Sequence, residues 1–360
     1  MLEGLTAHVE AIEGYLTEFF DRKIAEVTSG TVPVAGGFDA DVLRRLKGYV
    51  LRGKLIRGAL VFLGYESVGG DPARREAACL PTAAAMELTQ SFLLIHDDIM
   101  DKDEVRRGVP SIHRQYREYA EGRGVLDPGH LGVSLGICVG DVGVFLAMEL
   151  LSMAEAATGG LSPGAFLGTY ARELNLVGLA QMDDVFFGQA AEEPSVDRVV
   201  QVYRFKTGRY TFSLPLTLGA LLAGGNGDQQ SALARFGEEL GVVFQIKDDE
   251  IGIFGEEDHI GKPGGSDISA NKKTVFRQLL ISRKAPAEAL ELFGKTGLTP
   301  QEVASVRDAM RSLGVLSAAG ELSGVHRRRA VEALAQVVGI DHPSRKTFDQ
   351  LIAFNDRRTR

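Results

Sequence analysis

Apolar residues recur at intervals of three and four through most of this chain, the spacing of helices that bury one face. Leu5 to Glu26 shows the pattern first and gives way to the loop TSGTVPVAGG. A second helix is predicted from about Asp39 to Leu63. A third opens at Pro81, a favoured first helical position, runs through Gln90 into an acidic cluster, and is closed by Gly108 and Pro110. After the loop EGRGVLDPGH come two apolar segments with Gly at many positions, LGVSLGICVGDVGVFLAMELLSMA and FLGTYARELNLVGLAQMDDVFFGQ. Each Gly inside a helix costs about 1 kcal/mol relative to Ala, so this usage implies close helix contacts and room for a ligand. Val196 to Leu222 reads as a further helical region, and about Ser231 to Phe254 as another. Clean period-two alternation and Asn-Gly hairpins do not appear between these segments, so the fold class is all-α.

The densest chemistry lies in QSFLLIHDDIMDKDEVRRGVPSIH, Gln90 to His113. Asp97 and Asp101 are one helical turn apart on one face, Gln90 lies within about 20° of both, and Asp98 points to the side. Stacked carboxylates repel, and a cation between them is the natural compensation. Hard oxygen ligands without Cys or clustered His indicate Mg²⁺. Taken alone, a solvated acidic helix end would look the same. A second acidic pair, Asp248 and Asp249, follows Phe244 and Gln245 by one turn. Basic residues accompany both clusters: Lys54 and Arg57 in GKLIRG, Arg106 and Arg107 after the first, Lys206 beside Thr207, and Lys262 and Lys272 after the second. His96 reads as a packing or supporting residue rather than a metal ligand.

Composition narrows the partners. No uninterrupted apolar run reaches the roughly 18 residues of a membrane span, so no span is expected. No Pro/Ser-rich linker or internal repeat divides the chain, so residues 1–360 are expected to form a single domain. The two cysteines, Cys79 and Cys138, lie in apolar surroundings that suit buried thiols and a cytoplasmic protein. The N-terminus has early acids and no basic stretch of a signal peptide. A net charge of −8 argues against nucleic acid, while local basic clusters leave anionic ligands open.

Two acidic motifs about 150 residues apart, the first followed by RRG, with GKxxRG upstream, a Lys-Thr between them, and GK then NKK after the second, resemble the trans-isoprenyl diphosphate synthases of the polyprenyl synthetase family. The resemblance covers nearly the whole chain, as far as the terminal LIAFNDRRTR. It implies the isoprenoid synthase type I fold, a single large bundle around a central cavity with the acidic motifs facing across its mouth, in a homodimer. It implies condensation of isopentenyl diphosphate with an allylic diphosphate, with three Mg²⁺ ions, two on Asp97 and Asp101 and a third on Asp248. Asp97, Asp98, Asp101, Lys206, Asp248 and Asp249 are the implied catalytic set. Lys54, Arg57, Gln90 and Arg107 resemble the isopentenyl side. Arg106, Lys206, Thr207, Gln245, Lys262 and Lys272 resemble the allylic side. Thr207 and Gln245, with Gln181, Asp184 and Tyr210, would line the region where a carbocation forms.

Phe92 and Leu93, just before the acids, match the positions that set product length in the family. A single aromatic at Phe92 implies a C20 product, geranylgeranyl diphosphate, with C15 farnesyl diphosphate as the alternative. On an ideal helix Leu93 shares the Asp97 face, whereas Phe92 points some 140° away, and packing on a neighbouring helix is its alternative role. Three departures stand out. Gly252 replaces a third Asp in DDEIG, Leu55 and Gly58 replace Arg and Pro in GKLIRG, and DDIMD lacks a two-residue insertion. Asp248 alone can still hold a metal, so Gly252→Asp is expected to matter less than Asp248→Ala. A class I terpene cyclase would need NDxxSxxxE where this chain has KDDEIGIFG, and a non-catalytic synthase subunit typically loses an acidic motif that this chain retains.

Overall fold

Helices make up most of the computed structural model, which describes residues 3–32, 36–158, 164–255 and 265–358. Its chain divides into two compact units. One takes Glu3–Thr169 with Leu218–Gly225; the other takes Tyr170–Thr217 with Asn226–Arg360. The all-α expectation holds: among the described residues the strands are one antiparallel hairpin, β1 (Val105–Arg106) with β2 (Val109–Pro110).

In the first unit α1 (Thr6–Thr28) buries Ile12, Leu16, Phe19 and Phe20 against α2 (Asp39–Val50), α3 (Ile56–Ser67) and α4 (Arg75–Met100). The single helix expected over Asp39 to Leu63 is therefore two. Leu55, buried and in the left-handed region at φ 50°, turns the corner between them. Apolar spacing continues across that corner, so periodicity did not reveal it. Nor does α4 open at Pro81; REAACL adds its own turns, Arg75 pairs with Glu66 at 3.0 Å, and Pro81 sits inside the helix. The helix ends at Met100, before the hairpin that contains Gly108 and Pro110.

The partner of α4 is α6 (Pro128–Thr158), which also packs on α5 (Ile112–Ala120). Gly136, Gly140 and Gly143 of α6 receive Ile99, His96 and Phe92 of α4. A Cβ on them would come within 2.9 Å of Ile99 Cδ1, 2.2 Å of His96 Nε2 and 3.4 Å of Phe92 Cβ. These glycines serve close helix contact, as their density implied. The far side of α6 is an exposed stripe at helical spacing, with Ile137, Cys138, Phe145, Met148 and Met153. Cys138 is thus exposed, against expectation, while Cys79 is buried as expected. By length and composition alone, α4 and α6 could each cross a membrane, although neither is an uninterrupted apolar run. The apolar window of α4 is 78% buried in the fold, whereas that of α6 is only 33% buried.

In the second unit α7 (Ala165–Gln189, from Tyr170 onward) leads to α8 (Val196–Val202), a wide π-helical segment (Tyr203–Ser213) and α9 (Leu214–Leu222, as far as Thr217). The long α10 (Gly227–Phe254) opens on a capping box between Asn226 and Gln229 and packs against the π segment. Short helices α11 (Ser266–Ser269), α12 (Val275–Ser282) and α13 (Ala287–Leu290) precede α14 (Pro300–Ser312), α15 (Val315–Leu334) and α16 (Arg345–Arg357). Val242 and Ile246 of α10 meet Val275, Phe276, Val306, Met310 and Val315 in one apolar core.

Candidate functional site

The first cluster is built where α4 runs out. Along its continuous helix Gln90, Leu93, Asp97 and Asp101 follow at i, i+3, i+7 and i+11, so they share one face. Asp97 is half-buried and Asp101 exposed, whereas Asp98 is fully buried. Tyr49 Oη donates to Asp98 Oδ2 at 3.1 Å and Arg106 Nε donates to Oδ1 at 2.6 Å, with Arg106 Nη2 reaching Asp103 at 3.0 Å. Burial pushes the Asp98 carboxyl up to about 6, against the pull of Arg106 and Tyr49. The β hairpin carries this arginine back onto the helix end.

Arg107, at φ 55°, aims the other way, donating to the Tyr49 carbonyl at 3.2 Å with its guanidinium 5.8 Å from the Tyr49 ring. Burial lowers its pKa, and the charges of Arg57 and Arg106 push in the same direction, so three guanidinium groups share one electrostatic neighbourhood. Arg57 is set by a residue the sequence did not single out. Glu87 is buried on α4 and accepts the Gly58 N–H at 2.7 Å, fixing the N-terminal turn of α3. Burial holds the Glu87 carboxyl above its usual range, with that N–H and Arg57 opposing. Gly58 is needed there, because a Cβ would come within 2.9 Å of Ile12 and 3.0 Å of the Ala83 carbonyl. Lys54 is exposed just before this turn. Gln90 is buried, and its Oε1 has no hydrogen-bond partner among the described residues, an orphan acceptor on the face of Asp97. His96 packs on α6, its Nε2 3.2 Å from the Ile137 carbonyl and 3.7 Å from Asp141, as a supporting residue would. Phe92 meets the same helix and stacks edge-on against His96 at 6.1 Å, while Leu93 is half-buried.

The second cluster joins the π segment to α10. Gly208 and Gly241 cross so closely that a Cβ on Gly241 would lie 2.1 Å from Gly208 Cα, which brings Thr207 to Gln245. Thr207 Oγ1 donates to Gln245 Oε1 at 3.0 Å, and Gln245 Nε2 donates to Asp249 Oδ1 at 3.0 Å. Tyr203 Oη donates to Asp249 Oδ2 and accepts the Val275 N–H at 2.9 Å. Burial, reinforced by Asp267, pushes the Asp249 carboxyl well above its ordinary range. Asp248, one residue earlier, faces outward. Lys206 pairs with Asp184 of α7, and Lys272 Nζ lies 3.5 Å from Asp267 Oδ1. Gln181 and Tyr210 are half-buried. Lys262 lies outside the described residues.

Gly252 is more constrained than DDEIG suggests. A Cβ there would lie 2.2 Å from Asp267 Oδ2, so the carboxylate of Asp267 fills the space beside this turn. Sequence reasoning also missed Tyr203, whose position in a wide turn gives no periodic signal, and Arg358. The latter returns from the end of α16 to donate to Asp248 Oδ1 at 2.9 Å. Among the described residues no group of three or more His, Cys, Asp or Glu forms a closed metal cage. Outward carboxylates such as Asp97, Asp101 and Asp248 suit instead a hard cation that keeps waters and takes further oxygens from a ligand.

A family model described as polyprenyl synthetase matches residues 40–313. The chain is 29% identical over 312 residues to the geranylgeranyl diphosphate synthase of Sulfolobus acidocaldarius, spanning 85% of this chain and 87% of that one. It is 30% identical over 347 residues to the short chain isoprenyl diphosphate synthase of Methanothermobacter thermautotrophicus, spanning 89% and 94%. A crystal structure of geranylgeranyl pyrophosphate synthase from Corynebacterium glutamicum, complexed with isoprenyl diphosphate and magnesium, matches with a TM-score of 0.84 at 29% identity, covering 99% of both chains.

Proposed function

This chain belongs to the polyprenyl synthetase family, and from that premise we propose that it is a Mg²⁺-dependent short-chain prenyltransferase that condenses isopentenyl diphosphate with allylic diphosphates, chiefly to C20 geranylgeranyl diphosphate. The observation that carries this reading is the end of α4, where one face presents Gln90, Leu93, Asp97 and Asp101 in register and buried Asp98 of the same turn holds Arg106. Two diphosphates bring about six negative charges, and these carboxylates alone would repel them. The naming of the Sulfolobus and Corynebacterium relatives as geranylgeranyl diphosphate synthases supports the C20 product.

In this reading Lys54, Arg57, Gln90 and Arg107 hold the isopentenyl diphosphate. Arg106, Lys206, Thr207, Gln245, Lys262 and Lys272 serve the allylic one, with Arg forks clamping and Lys neutralising. Asp97, Asp101 and Asp248 would hold Mg²⁺, three ions in all, which when bound act as Lewis acids on the leaving diphosphate. Ionisation of the allylic carbon–oxygen bond leaves a cation; the isopentenyl double bond attacks it and a proton is lost to the departed diphosphate. Asp98 and Asp249 act by position, the first fixing Arg106 and the second fixing Gln245. Apolar side chains keep water from the cation. Leu93 meets the growing chain, and Phe92 braces it from the α6 side.

The single-domain reading is supported by the family match, which takes in residues of both compact units. A homodimer is supported by the exposed apolar stripes of α6 and α7, the latter with Leu179, Met182, Val185 and Phe186. Two free cysteines accord with a cytoplasmic enzyme. The deciding experiment supplies isopentenyl diphosphate with each allylic primer and Mg²⁺, and reads products by chromatography. Geranylgeranyl diphosphate is expected; no condensation would overturn the activity, and arrest at farnesyl diphosphate would overturn the product.

A further inference from the structure

Asp248 faces outward from α10 with its side chain 54% exposed, yet the guanidinium paired with it is only 7% exposed. That arginine, Arg358, is held independently of Asp248. Its Nη2 donates to the Phe244 carbonyl at 2.8 Å, and its Cζ lies 3.7 Å from the centroid of the Phe244 ring. Among the described residues its Nε is buried without an acceptor. The cation is therefore built into the α10 surface, and the carboxylate is the partner that meets solvent.

We propose that Arg358 suppresses binding of a divalent cation at Asp248 until a diphosphate is present. This rests on the reading of Asp248 as a metal ligand given above. A divalent ion taking up Asp248 must share that carboxylate with a fixed positive charge, and the two cations repel. The negative charge of a diphosphate reverses the balance, since it attracts both. Arg358 thus acts as a positioning residue that couples metal uptake at the second motif to substrate arrival.

The test is Mn²⁺ binding, followed by electron paramagnetic resonance of the free ion, with and without inorganic diphosphate. Without diphosphate, Arg358→Gln is expected to bind Mn²⁺ about tenfold more tightly at one site. Arg358→Lys, which keeps the charge, should behave as the parent, and the gain should vanish in the Arg358→Gln/Asp248→Asn double variant. Equal or weaker binding by Arg358→Gln, or a gain that survives loss of Asp248, would overturn the proposal. A second arm needs no change at Arg358: Asp248→Asn should leave diphosphate-free Mn²⁺ binding unchanged and lose only the ion recruited with diphosphate. Loss of Mn²⁺ by Asp248→Asn in the absence of diphosphate would also overturn it. Neither arm requires prenyl transfer, so an enzyme inactive with every primer would sink the proposed activity and leave this result to be judged separately.

Discussion

Each acidic motif pairs an outward carboxylate with a buried one. Neighbours on a helix lie about 100° apart, so Asp97 and Asp248 can meet solvent while Asp98 and Asp249 turn inward to Arg106 and Gln245. The spacing made Asp97, Asp101 and the sideways turn of Asp98 legible in the sequence. The buried partners Tyr49, Tyr203 and Glu87 were not, because hydrogen bonds across 49, 46 and 29 residues leave no periodic trace. Asp97→Ala and Asp101→Ala should each lower turnover by at least about 100-fold with helix content unchanged by circular dichroism, since they remove charge stabilisation rather than packing. Unchanged turnover in either variant would sink the metal assignment. At Gly252 the geometry reverses the expectation from sequence. An Asp there would drive its Cβ into the Asp267 carboxylate and set a second carboxyl against it. Gly252→Asp should therefore destabilise by about 1–3 kcal/mol in urea unfolding and lose at least as much turnover as Asp248→Ala. Parent-like stability would mean that Asp267 moves aside freely.

At the level of elements, the helices that carry the site were legible from apolar spacing, and their interruptions were not. The corner at Leu55 preserves the spacing on both sides, Pro81 is absorbed into α4, and the π segment changes hydrogen bonding without changing which residues are apolar. The glycine density of α6 did signal its role, since Gly136, Gly140 and Gly143 let α4 approach. That approach separates two neighbours on α4: Phe92 is committed to the α6 contact, and Leu93 lies on the face of Asp97 one turn earlier, about 6 Å along the axis. On the proposed reading, a larger side chain at Leu93 would shorten the room for a growing chain, while Phe92 keeps the contact with α6. Leu93→Phe should shift the main product from C20 to C15, read by chromatography of hydrolysed products. An unchanged product distribution would place the floor elsewhere.

For the whole molecule, the exposed apolar surface is the feature that the sequence left ambiguous, because buried and interface-forming helices share the same composition. On α6, Ile137, Phe145, Met148 and Met153 recur at helical spacing on the side away from Gly136, Gly140 and Gly143, and Phe145 is 68% exposed. Leaving such a stripe in water is unfavourable by roughly 25 cal/mol per Å² of apolar area, and a second copy of the chain can cover it symmetrically. Phe145 is the largest side chain of the stripe and is mostly exposed, so a polar replacement there removes little burial within the fold. The parent protein should run as a dimer by size-exclusion chromatography with light scattering at micromolar concentration. Phe145→Asp should shift it towards monomer, because it buries a charge against an apolar partner face at a cost of several kcal/mol. Its circular dichroism should stay that of the parent. A parent that is monomeric throughout, or a Phe145→Asp variant that remains fully dimeric, would show that this stripe is not the dimer contact.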